Sequence, residues 1–74
     1  MKLYFENSRG QRRLIATPKT TEEIYNVIRD FCNERNFKIH YVRTWGEPNG
    51  EKYYDVGSYT EFFIEVNDDD KNNT

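Results

Sequence analysis

The chain has little of what usually announces chemistry. It holds a single cysteine, Cys32, so neither an intramolecular disulfide nor a thiolate metal cage can be built from it. A reducing, cytoplasmic setting is the plain expectation. It also holds a single histidine, His40, and acid–base work needs such a group to be positioned by a partner. Four glycines and two prolines leave no glycine-rich phosphate loop, no nucleophile elbow and no zinc-ligand spacing. No apolar run approaches the roughly 20 residues that cross a bilayer, and the opening MKLYFEN is not a signal peptide. Asp68-Asp69-Asp70 lacks the alternating oxygen ligands and closing Glu of a calcium loop, and reads as a solubilising run. The expectation is therefore no enzyme, no cofactor, no metal and no membrane.

What the chain does have is aromatic residues, 16 % of the total against 35 % for all hydrophobic types. A domain near the lower size limit must then build its core from few, large side chains. Charge is uneven along the chain: residues 1–43 carry nine Lys/Arg against five Asp/Glu, and residues 44–74 two against eight. The chain's net charge of −2 is carried by residues 67–74 (NDDDKNNT), which have nothing apolar to bury and read as a disordered acidic tail. Residues 1–66 form the single expected domain, balanced at ten charges of each sign.

Within that domain, Leu3 and Phe5 alternate with polar neighbours, and Asn7-Ser8-Arg9-Gly10-Gln11 supplies turn chemistry. Residues 12–16 (RRLIA) return as a second strand, ended by Thr17-Pro18. Thr20-Thr21-Glu22-Glu23 is a capping box, followed by Ile24, Val27, Ile28 and Phe31 at helical spacing. The predicted helix covers about residues 21–35, with Asn36 able to take the left-handed position after it. Residues 37–45 (FKIHYVRTW) alternate as a third strand that puts Phe37, Ile39, Tyr41 and Trp45 on one face.

The longest run, residues 52–66 (KYYDVGSYTEFFIEV), alternates with Tyr54, Val56, Thr60, Phe62, Ile64 and Val66 on one side. Gly57-Ser58 could centre a tight type II′ turn, but that pairing brings Glu61 among the core residues. One continuous strand, bent or bulged at Gly57, is the preferred reading. Matching its face to that of residues 37–45 requires an even number of loop residues around Glu47-Pro48-Asn49-Gly50, two or four. The two-residue loop sets Trp45 opposite Tyr54 and Lys38 opposite Glu61. A three-residue loop suits Pro48 but turns Trp45 away from the core. The predicted fold is α+β: a four-stranded antiparallel sheet, β-β-α-β-β, with one helix packed on one face. The predicted core is Leu3, Phe5, Leu14, Ile24, Val27, Ile28, Phe31, Phe37, Ile39, Tyr41, Trp45, Tyr54, Val56, Phe62 and Ile64.

One helix covers one face, so the other face is the place to look for function. The alternation assigns to it Tyr4, His40, Val42, Tyr53, Tyr59 and Phe63, with Glu61 and other charges between them. Scattered surface aromatics are the bland reading. A recognition patch for another protein is the sharper one, carried by His40, Val42, Tyr53, Tyr59, Glu61 and Phe63. Nucleic acid is a less favoured partner, because acidic residues share that face; its alternative site is the basic group Arg9, Arg12, Arg13 and Lys19. A third alternative is a structural, self-associating protein. Like charges meeting across a face-to-face pair limit that to a monomer or weak homodimer.

The opening KLYFEN and RRLI, together with Asp55-Val56-Gly57-Ser58-Tyr59-Thr60-Glu61-Phe62-Phe63, resemble a group of short, uncharacterised proteins from phages and prophages of Gram-positive bacteria. The resemblance covers about residues 2–66. Relatives are expected to carry His where this chain has Tyr59. No activity and no catalytic residue follow from it. What it implies is a cytoplasmic accessory protein whose partner is a host or phage protein.

Overall fold

A computed structural model describes residues 1–58 and 60–67; Tyr59 and residues 68–74, and with them the expectations placed on Tyr59 and the acidic tail, lie outside the described residues. The chain runs β1 (Lys2–Glu6), β2 (Arg12–Ala16), α1 (Thr21–Glu34), β3 (Arg43–Gly46), β4 (Lys52–Asp55) and β5 (Phe62–Val66). The strands form one antiparallel sheet in the order β2-β1-β5-β4-β3, with the first and last strands of the chain side by side at its centre. Among the described residues the class is α+β with one helix and one antiparallel sheet, as expected, but the sheet has five strands and not four.

Helix α1 forms where local chemistry demands it. The Thr20 hydroxyl accepts from the Glu23 amide at 3.1 Å, and the Glu23 carboxylate reaches one residue beyond the cap to accept from the Lys19 amide. At the other end Asn36 adopts φ 59°, the Phe37 amide donates to the Cys32 carbonyl at 2.8 Å, and the Asn36 amide donates to that of Asn33. Those two bonds are a Schellman closure, which satisfies carbonyls the helix end leaves free. The buried stripe is Ile24, Ile28, Phe31 and Cys32. It packs on Leu3, Phe5, Tyr54, Val56 and Phe63. Phe31 stands 4.7 Å from the Phe5 ring and edge-on to Phe63 at 5.5 Å, the tilted geometries aromatic pairs favour.

The fifth strand arises because the run 52–66 is not continuous. It breaks into β4 and β5, which lie antiparallel with Tyr53 opposite Ile64 and Tyr54 opposite Phe63. The connection is a wide loop, not the tight turn. Gly57 takes φ +100°, its amide donates to the Asp55 carboxylate at 2.9 Å, and the Ser58 hydroxyl accepts from the Glu61 amide while donating to the Glu61 carbonyl. The register reverses phase: even-numbered residues face the helix before the loop and odd-numbered ones after it. Phe63, expected outside, is therefore a core residue 1 % exposed. Phe62 and Ile64, expected under the helix, lie on the other face; Ile64 is fully buried there, between Tyr4 and Tyr53, and stands apart from the helix-covered cluster.

Other expected core positions also move out. Leu14 is 47 % exposed, because β2 is an edge strand and Leu14 pairs with Tyr4 on the uncovered side. A bulge opposite Leu3 and Tyr4 leaves Ile15 as the extra residue, and Ile15 and Ala16 pack against the core instead. The third strand is only Arg43–Gly46, and the Phe37 amide is used in capping the helix. Residues 38–42 cross to the sheet with the His40 amide bonded to the Val56 carbonyl at 3.1 Å, which leaves Ile39, Tyr41 and Val42 exposed. Trp45 also leaves the helix side, for a reason that builds the candidate site.

Candidate functional site

Two hairpins of identical design set which residues the uncovered face displays. In each, the residue before the loop and the residue after it are joined amide to carbonyl, Asn7 to Gln11 at 3.0 Å and Glu47 to Glu51 at 2.8 Å. Three residues remain between them. The third, Gly10 or Gly50, donates back to the first position at 2.9 Å with φ +79° or +90°. This is a type I turn closed by a left-handed glycine, the common three-residue hairpin. Pro48 takes the second turn position, where its fixed φ is wanted. An odd loop keeps equal parity across the pair, so Trp45 faces Tyr53 and not Tyr54. The expected two- or four-residue loop is corrected on this point.

The result is a cluster of three rings on the face opposite the helix. Trp45 stacks on Tyr53 with centroids 5.5 Å apart and planes 13° from parallel. Phe62, from β5, meets both nearly edge-on at 5.9 Å. The Trp45 indole N–H donates to the Glu47 carboxylate at 3.0 Å, so the ring is tethered as well as stacked. Tyr4 and Leu14 continue the same face toward β2. All three rings of the cluster are half-buried by one another, with edges still open to solvent.

Charged groups border the cluster in closed pairs. The Arg12 guanidinium holds the Glu51 carboxylate through both oxygens at 2.8 and 3.1 Å, touches Glu6 at 3.0 Å, and donates to the Tyr53 hydroxyl at 3.0 Å. That bidentate contact, with the Glu6 bond next, raises the Arg12 pKa further above its ordinary value. The same contact pulls the Glu51 carboxyl below its usual range. At the far edge Arg43 bonds the buried Asp55 carboxylate at 3.0 Å and lies 5.4 Å from the Trp45 ring centre.

The residues proposed from the sequence do not converge. Tyr53 lies in the ring cluster. His40 and Val42 are exposed on the segment that crosses to β3. Phe63 is in the core and not on the exposed face. Glu61 borders two shallow recesses on the helix side. His40, Ser58 and Glu61 share the smaller, of about 220 Å³, but the Ser58 hydroxyl is committed to the Glu61 backbone, and among the described residues the His40 side chain makes no hydrogen bond. The nucleophile–base contact that nucleophilic catalysis uses is not formed between them. The basic group is scattered too. Arg9 is at the tip of the first loop, Lys19 precedes the helix beyond the opposite end of β2, and Arg12 and Arg13 alternate across the strand. Cys32 is buried, and burial pushes its thiol pKa up, away from reactivity.

Trp45, Phe62 and Leu14, expected in the core, are the site residues that sequence reasoning missed; Tyr4, assigned to the uncovered face from the sequence, lies there. The signal for Trp45 was present: Gly10 and Gly50 follow Asn7 and Glu47 at the same offset, which points to the same loop in both hairpins. No helix among the described residues is long and apolar enough to cross a membrane. No protein-family model matches the chain, and neither the curated proteins nor the solved structures contain a significant match.

Proposed function

We propose that the chain is a small, non-catalytic module that binds another protein through the sheet face opposite the helix. The observation that carries the reading is the Trp45–Tyr53–Phe62 cluster on a face that no other element among the described residues covers. Trp, Tyr and Arg dominate the energetics of protein interfaces, and rings already held in place lose little freedom on binding. The ion pairs of Arg12 and Arg43 give the cluster a polar border, the arrangement of an interface core with its rim. The resemblance to phage accessory proteins makes a host or phage protein the partner class, met in the cytoplasm. Nucleic acid is less well supported, because the arginines on that face are already paired, and Arg9 and Lys19 of the basic group lie at opposite ends of the first hairpin. Self-association through the same face is the other outcome a test must separate.

The test is affinity capture from a Gram-positive host lysate with the parent and with Trp45→Ala, after circular dichroism shows that both are folded. A partner held by the ring cluster should bind the variant about 30-fold more weakly, the equivalent of about 2 kcal/mol for a central aromatic anchor. Capture of the same proteins at the same strength by both chains refutes the reading. A mass in light scattering that doubles with concentration for the parent and not for the variant assigns the face to self-association instead.

A further inference from the structure

The larger recess lies on the other side of the molecule, where the first hairpin meets the end of the helix. It measures about 540 Å³, within the range of small-molecule sites, and Phe5 and Phe37 contribute apolar wall. Its polar wall holds Asn7, Gln11, Arg12, Arg13, Arg35 and Glu61. Of the three arginines, Arg12 is already committed to Glu6 and Glu51. Arg13 and Arg35 have no carboxylate partner among the described residues.

Those two side chains are brought together by separate parts of the fold. Arg13 pairs across the strands with Phe5, so both lie on the helix side of the sheet. Arg35 is the residue that caps the helix, and its guanidinium lies 4.4 Å from the Phe31 ring centre and 6.0 Å from that of Phe5. A guanidinium packed over rings keeps its N–H edge free for an oxyanion while losing little further freedom. The helix C-terminus nearby, about half a negative charge, and Glu61 on the rim oppose an anion, but the two full cations together outweigh them. The Gln11 amide supplies an uncharged donor at the same wall, since its carbonyl oxygen already accepts from Asn7.

We infer that this recess is a binding site for a small organic oxyanion, a phosphate or carboxylate carried on a flat apolar body. Arg13 and Arg35 hold the oxyanion, and Phe5 and Phe37 take the body. This site shares only Arg12 with the border of the ring cluster, and the inference does not rest on that cluster.

The experiment is a titration of the ¹⁵N-labelled protein at low salt with phenyl phosphate, benzoate and inorganic phosphate, followed by amide shifts. The expected result is a single saturable site for phenyl phosphate or benzoate, at least tenfold tighter than inorganic phosphate, with Gln11, Arg13, Arg35 and Phe37 among the shifted amides. Arg13→Gln and Arg35→Gln should each weaken it tenfold or more, whereas Arg9→Gln, at the exposed loop tip, should leave it unchanged. Arg35→Lys separates charge from packing and should retain part of the affinity if the fold is intact. Preference between the two aryl ligands identifies the oxyanion as phosphate or carboxylate. Equal binding of aryl and inorganic phosphate, an equal loss in Arg9→Gln, or shifts confined to the ring cluster would each overturn the inference.

Discussion

The phase reversal between β4 and β5 makes adjacent phenylalanines differ in kind, and replacing each in turn measures it. Phe63 is 1 % exposed and sits 5.5 Å from both the Phe5 and Phe31 rings. Truncation to Ala removes its buried surface, leaves a cavity and breaks two ring contacts, a loss of about 3–5 kcal/mol. A domain of this size has a total stability of about 3–10 kcal/mol at 0.05–0.15 kcal/mol per residue. Phe63→Ala should therefore be marginally folded or unfolded at 25 °C. Phe62 is half-buried against Trp45 and Tyr53 on the far face, and its truncation should cost only about 1–2 kcal/mol. Urea denaturation followed by far-ultraviolet circular dichroism reads the difference as a shift in midpoint with unchanged slope. If Phe63→Ala shows no folded baseline, Phe63→Leu keeps the comparison measurable, with a smaller cost from the same site. A Phe62→Ala variant as unstable as Phe63→Ala, or more so, would refute the register and restore the continuous strand.

Two further outcomes follow from particular contacts. Gly57→Ala should cost about 2 kcal/mol or more, because the residue has φ +100° and the new methyl meets His40 Cβ at 3.0 Å; Gly10→Ala, at φ +79° with open space around it, should cost about half as much in the same urea titration. The buried Tyr54 hydroxyl donates to Glu65 at 2.7 Å, and burial first, then that bond, push its pKa above the ordinary value. The neutral form is then favoured by folding, so its contribution is complete below the unfolded pKa of about 10 and lost as pH rises past it, by up to about 1.4 kcal/mol per pH unit. Cys32, raised by burial, acts in the same direction from about pH 9; Tyr54→Phe should flatten the fall above pH 10, and an unchanged slope would remove Tyr54 from the explanation.

How much of this was legible in the sequence divides along a physical line. Features set by local chemistry were readable: the Thr20 cap, the buried face of Ile24, Ile28 and Phe31, the left-handed Asn36, and the first hairpin. Each depends on residues within a few positions of one another. The phase of the last strands was not readable, because both answers satisfied the same alternation. Tyr54, Val56, Phe62 and Ile64 alternate as though residues 56–61 were strand, and Phe62 and Phe63 are equally apolar, so no burial rule chooses between them. The choice is made at two loops whose lengths decide parity, one before the run at residues 47–50 and one within it between β4 and β5. At Glu47-Pro48-Asn49-Gly50 the sequence argument had the consequence right and the premise reversed: a three-residue loop does turn Trp45 from the core. Rejecting it assumed that the largest aromatic must lie under the helix.

That assumption fails for a structural reason that also bears on function. A 14-residue helix covers the middle of a five-stranded sheet, and its stripe of Ile24, Ile28, Phe31 and Cys32 is matched by Leu3, Phe5, Tyr54 and Phe63. Trp45, on the edge strand β3, lies beyond that footprint. It has to find partners on the other side, and Tyr53 and Phe62 supply them. Each ring there remains partly wet, which costs hydrophobic stabilisation that complete burial would recover. A second protein laid over the cluster would recover it, and rings already stacked would change little in doing so. If the proposed function holds, binding and folding would draw on the same three side chains to different extents, and the Trp45→Ala variant should lose more of the first than of the second.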